Sequence, residues 1–303
     1  MNMRHLAVFH AVAETGNLSR AAERLYITQP AASRQVRALE ESLRLTLLHR
    51  EPRGVRLTDA GQTLAAYAAR IFALSDRART RMAEIRNLES GRLSLGASTT
   101  IGNYLLPPVL GRFRRLHPGV EIRLEIGNTD AIQHLLLEDR VDLGFTEGFV
   151  EEEELEAHAF MHDELAIIAP PGHPLAREAG AELAELSPYQ WVMREPGSGT
   201  QAVLDHIMQS HGLEPAATFR LGNTEAVKCA VRAGAGIACI SYLTVANEIR
   251  AGTLARIPCS DAAFRRPLHR LHHRNHRSGP AVHAFLELLK QNIPDGDREH
   301  AGL

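Results

Sequence analysis

Apolar residues recur at helical spacing through the first third of the chain and then give way to short β-rich runs. Within residues 18–40, Ala21, Ala22 and Leu25 form one small apolar face; Ala32, Val36, Leu39 and Leu43 form a second. Steps of three and four residues predict two amphipathic helices around a tight turn. Ser19 is placed to cap the first, Tyr26 and Ile27 to fill the turn, and Thr28 to cap the second. Pro30 falls in that helix's first turn, where its missing N–H costs nothing. Pro30, Ser33, Arg34 and Arg37 then project away from the apolar stripe, with Gln29 at its exposed N-terminal edge. One side is buried and the other is left to read a partner.

The pattern continues in a way that narrows the partner. Residues 50–57 (REPRGVRL) have turn formers at the centre and three arginines, which predicts a β-hairpin with Arg53 at its tip. Next, Leu64, Ile71, Ala78 and Ile85 repeat every seven residues. Tyr67, Leu74 and Leu88 lie three positions after matching members, and Met82 lies on the adjoining edge. A period of seven favours a paired helix, and Thr58 and Asp59 suit its N-terminus. From residue 91 on, strand-like runs at 93–97, 120–126, 141–145, 165–169, 191–193, 219–221 and 237–240 alternate with helical runs at 101–116, 131–137, 201–211, 224–233 and 281–291. That alternation predicts an α/β domain with parallel sheets.

Charge sharpens the division. The net charge of −2 over 303 residues does not mark a nucleic-acid binder. Residues 1–92, however, hold fifteen Lys and Arg against nine Asp and Glu, a balance of +6 that leaves −8 in the remainder. The positive charge lies with the paired helices and hairpin, whose side chains suit duplex DNA: Gln bonds adenine, Arg bonds guanine or phosphate, and Ser serves either. Arg53 is placed for a minor groove. Cys229, Cys239 and Cys259 are unpaired in pattern, which predicts reduced thiols and neither a zinc site nor a disulfide framework. No stretch reaches the length of a membrane span and no export signal is legible, so the expected location is cytoplasmic.

Residues 1 to about 90 resemble the winged helix-turn-helix and linker helix of LysR-type transcriptional regulators. The matching residues are Phe9, Ala21, Ala22, Leu25, the run TQPAASRQ at 28–35, Leu39, Glu40, Leu47 and the run RGVRLTDAG at 53–61. The resemblance implies an all-α-dominated winged helix-turn-helix over residues 1–60, a dimerising linker helix over 61–90, and a two-lobed, periplasmic-binding-protein-like effector domain over 91–303. Lobe 1 is expected at about 91–163 plus 266–303, and lobe 2 at about 164–265. It also implies a homodimer or homotetramer on a double-stranded operator, admits contact with RNA polymerase, and calls for no cofactor or membrane.

Small ligands in α/β folds sit at the carboxyl ends of strands, against helix N-termini. Two runs fit that rule: GASTTIG at 96–102, with Ser98, Thr99 and Thr100, and REPGSGT at 194–200, with Ser198 and Thr200. Thr146, after the run at 141–145, is a third candidate, and Asn223 with Thr224 a weaker one. Hydroxyls and free N–H groups converging on one cleft hold a small anion without a buried lysine. The resemblance supports this, because related regulators of sulfur assimilation and carbon fixation bind small anions or metabolites between the lobes. Arg194 is a candidate charge, with Glu195 expected to face away. His269, His272, His273 and His276 read as a polar outer strand and not as a metal site, since no neighbouring Cys or carboxylate in sequence completes one.

Two other classes fit the chain less well. A cytosolic enzyme with an appended DNA-binding domain would need Ser98 or Ser198 as nucleophile, but neither lies in a GxSxG elbow. A transport solute-binding protein is opposed by the N-terminal reader. The expected protein is a non-enzymatic, ligand-responsive DNA-binding regulator.

Overall fold

The computed structural model describes residues 2–51, 54–86, 91–150, 152–177, 180–215, 217–275 and 278–292. The chain divides into two compact units, Met1–Met82 with Glu138–Arg140, and Ala83–Leu137 with Val141–Leu303, so that the last turn of the long helix described below belongs to the second.

The first unit begins with α1 (Met3–Thr15), α2 (Leu18–Arg24) and α3 (Gln29–Leu43). The hairpin β1 (Leu48–Glu51) and β2 (Gly54–Leu57) follows, then the 28-residue helix α4 (Asp59–Arg86). Leu6, Phe9, Val12, Ala21, Ala32, Val36, Leu39 and Leu47 form its core, all essentially excluded from water. The first cap lies two residues earlier than expected: Asn17, not Ser19, accepts from the backbone N–H groups of Ser19 and Arg20, at 2.8 and 3.2 Å. Its extended backbone makes it the last residue outside the helix. Thr28 caps α3 as predicted, accepting from Ala31 N–H. Tyr26 does not fill the turn. Its φ of 55° is left-handed and throws the ring outward, 97% exposed, while Ile27 packs on the core. The Glu40 carboxylate ties α3 to the hairpin by accepting from the N–H groups of Leu47 and Leu48.

The seven-residue stripe of α4 has two fates. Leu64, Ile71 and Phe72 turn onto the unit's own core, with Phe72 stacked on His10 at 5.4 Å between ring centroids. Tyr67, Leu74 and Met82 remain more than half exposed. Ile85 and Leu88 lie outside the residues whose side chains are described, as do Arg53 and His276.

The second unit is built on β3 (Gly91–Ser98), β4 (Val120–Gly127), β5 (Leu143–Glu147), β6 (Leu155–Ala169), β7 (Gln190–Arg194), β8 (Ala217–Leu221), β9 (Ala238–Ser241), β10 (Ala255–Ile257) and β11 (Arg265–His273). Its helices are α5 (Leu106–Leu116), α6 (Thr129–Leu137), α7 (Leu183–Leu186), α8 (Gly199–Ser210), α9 (Thr224–Arg232), α10 (Tyr242–Arg250) and α11 (Pro280–Lys290). A π-helical turn (Ile101–Leu105) precedes α5. Pro107 and Pro108 offer no N–H to the carbonyls four residues before them, so an ordinary α-helical ladder cannot run through this stretch.

As predicted, β3 pairs in parallel with β4 and β5, and β7 with β8. The two long strands depart from the all-parallel expectation. β6 and β11 are antiparallel to each other; β11 is antiparallel to β5, and β6 to β9 and β10. Both strands pass between two separate cores. One gathers Leu93, Phe113, Phe145, Phe160 and Phe285; the other gathers Leu165, Leu183, Trp191 and Leu204. Strands that return directly from one lobe to the other need no crossover helix and so pair antiparallel. The histidine-rich strand β11 is therefore internal, between β6 and β5, and not an outer strand.

Candidate DNA-reading surface and effector cleft

On α3, burial alternates as the helical period demands. Ala32, Val36 and Leu39 are at most 3% exposed, whereas Gln29, Pro30, Arg34 and Arg37 are open to solvent and Ser33 is half-buried. A polar strip on a helix held from behind by a core is the geometry that enters a major groove. Tyr26, outside the sequence-based set, adds an exposed phenol in the turn before this helix. The signal that would have found it is the left-handed backbone, which is invisible in composition.

In the second unit, the predicted hydroxyls gather at strand ends, but with unequal freedom. Ala97 pairs with Phe145, so Ser98 and Thr146 leave the adjacent strands β3 and β5 side by side. Thr146 is fully buried and its Oγ1 has no partner. Ser98 Oγ accepts from Ile101 N–H at 3.4 Å, a local cap, and Thr99 Oγ1 donates to Gly127 O at 3.4 Å. Thr100 is buried at the start of the π turn. Across the cleft, Ser198 is the N-cap residue of α8 yet makes no capping bond through its side chain, and Thr200 Oγ1 accepts from Arg266 Nη1 at 2.9 Å. Asn223 caps α9, accepting from Ala226 N–H at 2.8 Å, and Thr224 accepts from Arg194.

Arg266 is the residue that sequence reasoning missed. It lies on β11, 1% exposed, with Nε donating to Asp163 Oδ2 at 2.9 Å, Nη2 2.7 Å from the same oxygen, and Nη1 3.6 Å from Glu147 Oε1. Asp163 also accepts from Ser241 Oγ at 2.8 Å. An arginine in a polar run reads as surface, and only the pairing of β11 with β6 reveals the buried ion pair. Arg194 corrects the other expectation: Glu195 does not face away. It takes the guanidinium in two bonds, at 2.7 and 2.8 Å, and neutralises it.

The two sides of the cleft touch through two hydrogen bonds to backbone carbonyls. Asp130 N–H donates to Gly197 O at 3.2 Å, and Asn128 Nδ2 to Pro196 O at 3.4 Å. At Gly199 a β-carbon would lie 1.9 Å from Glu147 O, so nothing larger fits between these walls. Beside this contact is a cavity of about 700 Å³ lined by residues including Thr129, Gln133, Phe149, Ser198, Gly199 and Arg220. Gln133 is 7% exposed and its Oε1 has no partner. Of the six predicted effector residues, Ser198 alone is in this lining. On another side, Tyr104 donates to Glu225 Oε1 at 2.6 Å, and Lys228 donates to Glu225 at 2.9 Å and pairs with Glu248 at 2.5 Å. Burial pulls the Lys228 ammonium down, but its two carboxylate partners outweigh that and push it up to about 12.

Residues 86–294 match the LysR substrate binding domain, and residues 3–62 match the bacterial regulatory helix-turn-helix protein, lysR family. The chain belongs to the LysR family of transcriptional regulators. It is thus a ligand-responsive DNA-binding regulator, with a helix-turn-helix unit followed by an α/β ligand-binding unit. The RuBisCO operon transcriptional regulator of Allochromatium vinosum is 34% identical over 303 residues, covering 100% of this chain and 99% of the relative. Full-length CbnR complexed with target DNA matches at a TM-score of 0.73 and 25% identity, covering 96% of this chain and 100% of that one. The regulatory domain of CcmR from Synechocystis PCC6803, in complex with 2-PG, matches at a TM-score of 0.62 and 28% identity, covering 66% of this chain and 96% of that one. These LysR-type relatives are regulators, and among the described residues no helix is long and apolar enough to cross a membrane.

Proposed function

We propose that this LysR-type regulator reads its operator with Gln29, Pro30, Ser33, Arg34 and Arg37 at base edges and Arg53 in the flanking minor groove. It senses a small anionic metabolite with Ser98, Thr99, Thr100, Thr146, Ser198 and Thr200. The observation that carries the effector assignment is the fully buried Thr146 hydroxyl, which has no partner although it stands beside Ser98 at the strand ends. A buried polar atom left unsatisfied is costly, so a ligand oxygen there restores a bond that folding gives up. The N-terminus of α8, where the Ser198 side chain makes no capping bond, offers N–H donors to the same anion. Asp130, Glu152 and Asp205 line the neighbouring cavity with Arg220 and His134, an acidic excess that disfavours an anion there and leaves Ser198 as the one residue shared with the proposed anion site.

We divide the chain into a reader (1–60), a linker helix (61–90) and a two-lobed sensor (91–303), with lobe 2 at about 164–265. Exposed Tyr67, Leu74 and Met82 on α4 supply the face on which a second copy pairs. Pairing suits two half-sites about one DNA turn apart, and effector binding shifts the angle or spacing of the two readers. The protein works in the cytoplasm as a dimer or dimer of dimers and performs no catalytic turnover.

A thermal-shift titration with 2-PG, phosphate and sulfate tests the sensor. Thr146→Val removes the unpartnered oxygen at nearly constant volume, so it should leave the ligand-free melting midpoint within about 2 °C while abolishing the ligand shift. An undiminished shift in that variant places the ligand elsewhere.

A further inference from the structure

The histidine-rich strand has a role that neither the reader nor the sensor absorbs. Glu156 and His158 stand two residues apart on β6, so they leave one face of the sheet, and His272 is the ladder partner of Glu156 on β11. Their ligand atoms all lie within 4.8 Å of one another. The carboxylate is shared: Glu156 Oε1 is 3.0 Å from His158 Nε2, and Oε2 is 3.5 Å from His272 Nε2. The imidazoles are stacked, with centroids 5.5 Å apart and planes within 10° of parallel, which turns both Nε2 edges to the same acid.

We propose that Glu156, His158 and His272 bind a divalent transition-metal cation of the zinc class through two imidazole Nε2 atoms and one carboxylate oxygen. Ligand atoms about 2.1 Å from a tetrahedral ion are about 3.4 Å apart, and the three here already lie within 4.8 Å of one another, so small side-chain rotations bring them to that spacing. Two nitrogens and one oxygen suit zinc, nickel or cobalt, whereas magnesium and calcium require shells of six or more oxygens. Three protein ligands leave a fourth position for water.

The opposing charges are Arg270, which pairs with His158 in the ladder, and Arg274 just beyond His272. Glu156 offsets part of that field. An ion here cross-links β6 to β11, the two strands that run between the lobes, and so stabilises the folded sensor.

The test uses untagged full-length protein stripped with chelator. Zinc chloride is titrated by calorimetry, and cobalt chloride is followed by visible absorption. One ion per chain is expected, with a cobalt ligand-field band and a melting midpoint raised by about 5 °C in excess zinc. His158→Ala and His272→Ala should each weaken binding by about 100-fold, and Glu156→Gln, which keeps the side chain's volume, by at least about tenfold. His283→Ala, on α11, should bind as the parent does, and circular dichroism checks that each variant is folded. Failure of the parent to take up one ion, or stoichiometric binding that survives all three substitutions in folded protein, overturns the proposal.

Discussion

Replacing Arg266 with methionine is the sharpest probe of the sensor's interior. The guanidinium is 1% exposed and holds Asp163 through two contacts of 2.9 and 2.7 Å, with Thr200 at 2.9 Å and Glu147 at 3.6 Å. Asp163 and Glu147 are themselves only 2% and 3% exposed, and Glu147 Oε2 already lacks a partner. Arg266→Met fills most of the volume but leaves two carboxylates in a low-dielectric interior with no cation. Breaking a buried pair in this way costs about 3–5 kcal/mol, far more than an exposed pair of the same geometry. For a domain of this size the melting midpoint should fall by about 6–20 °C. Urea denaturation followed by tryptophan fluorescence reads the loss directly, because Trp191 is fully buried in the neighbouring core. The double variant Asp163→Asn/Arg266→Met removes one stranded charge and should recover part of the loss, giving a coupling energy above about 1 kcal/mol. A cost below about 1 kcal/mol, or no recovery in the double variant, would show that water reaches these carboxylates in solution and that the buried cluster does not hold the lobes.

Gly199→Ala forces a β-carbon to 1.9 Å from Glu147 O and 2.6 Å from Thr129 Oγ1, so the walls must part; overpacking should lower stability by about 1–3 kcal/mol, as differential scanning fluorimetry will show. Arg34→Ala should reduce operator affinity by about 1–3 kcal/mol in fluorescence anisotropy, and an unchanged affinity and salt slope would remove α3 from the groove. The Glu225 cluster predicts a pH dependence. Burial raises the Glu225 pKa, but hydrogen bonds from Tyr104 and Lys228 outweigh it and set the carboxyl below its ordinary value of 4.5. A depressed folded pKa contributes stability that is present above the unfolded value and is lost as pH falls through the folded one. Lys228, raised to about 12, contributes below its ordinary 10.5 and loses that contribution as pH climbs through about 12. Glu225→Gln should therefore lower the urea midpoint near neutral pH and converge with the parent in acid; parallel curves across the range would mean that the contact with Tyr104 is not formed in solution.

What the sequence decided is what local patterning decides. The apolar stripes of α2 and α3, the Thr28 cap, the turn-centred hairpin and the alternation of strands and helices are readable because each depends on neighbours a few residues apart. The family resemblance rests on the same kind of local pattern, chiefly the runs at 28–35 and 53–61. Even locally, backbone conformation outweighs residue type at Asn17, which caps α2 in place of Ser19, and at left-handed Tyr26. The tertiary structure alone decided which distant polar groups meet. The reversal of β6 and β11 buries Arg266 against Asp163, 103 residues away in sequence, and brings Glu156 to His272. Arg194 was set by its own neighbour, Glu195, but in which direction that neighbour turns is fixed by the surrounding burial. Periodicity tells which side of an element is apolar. It carries no information on which element lies opposite, and the charges and hydroxyls of this regulator's sensor take their meaning from that pairing.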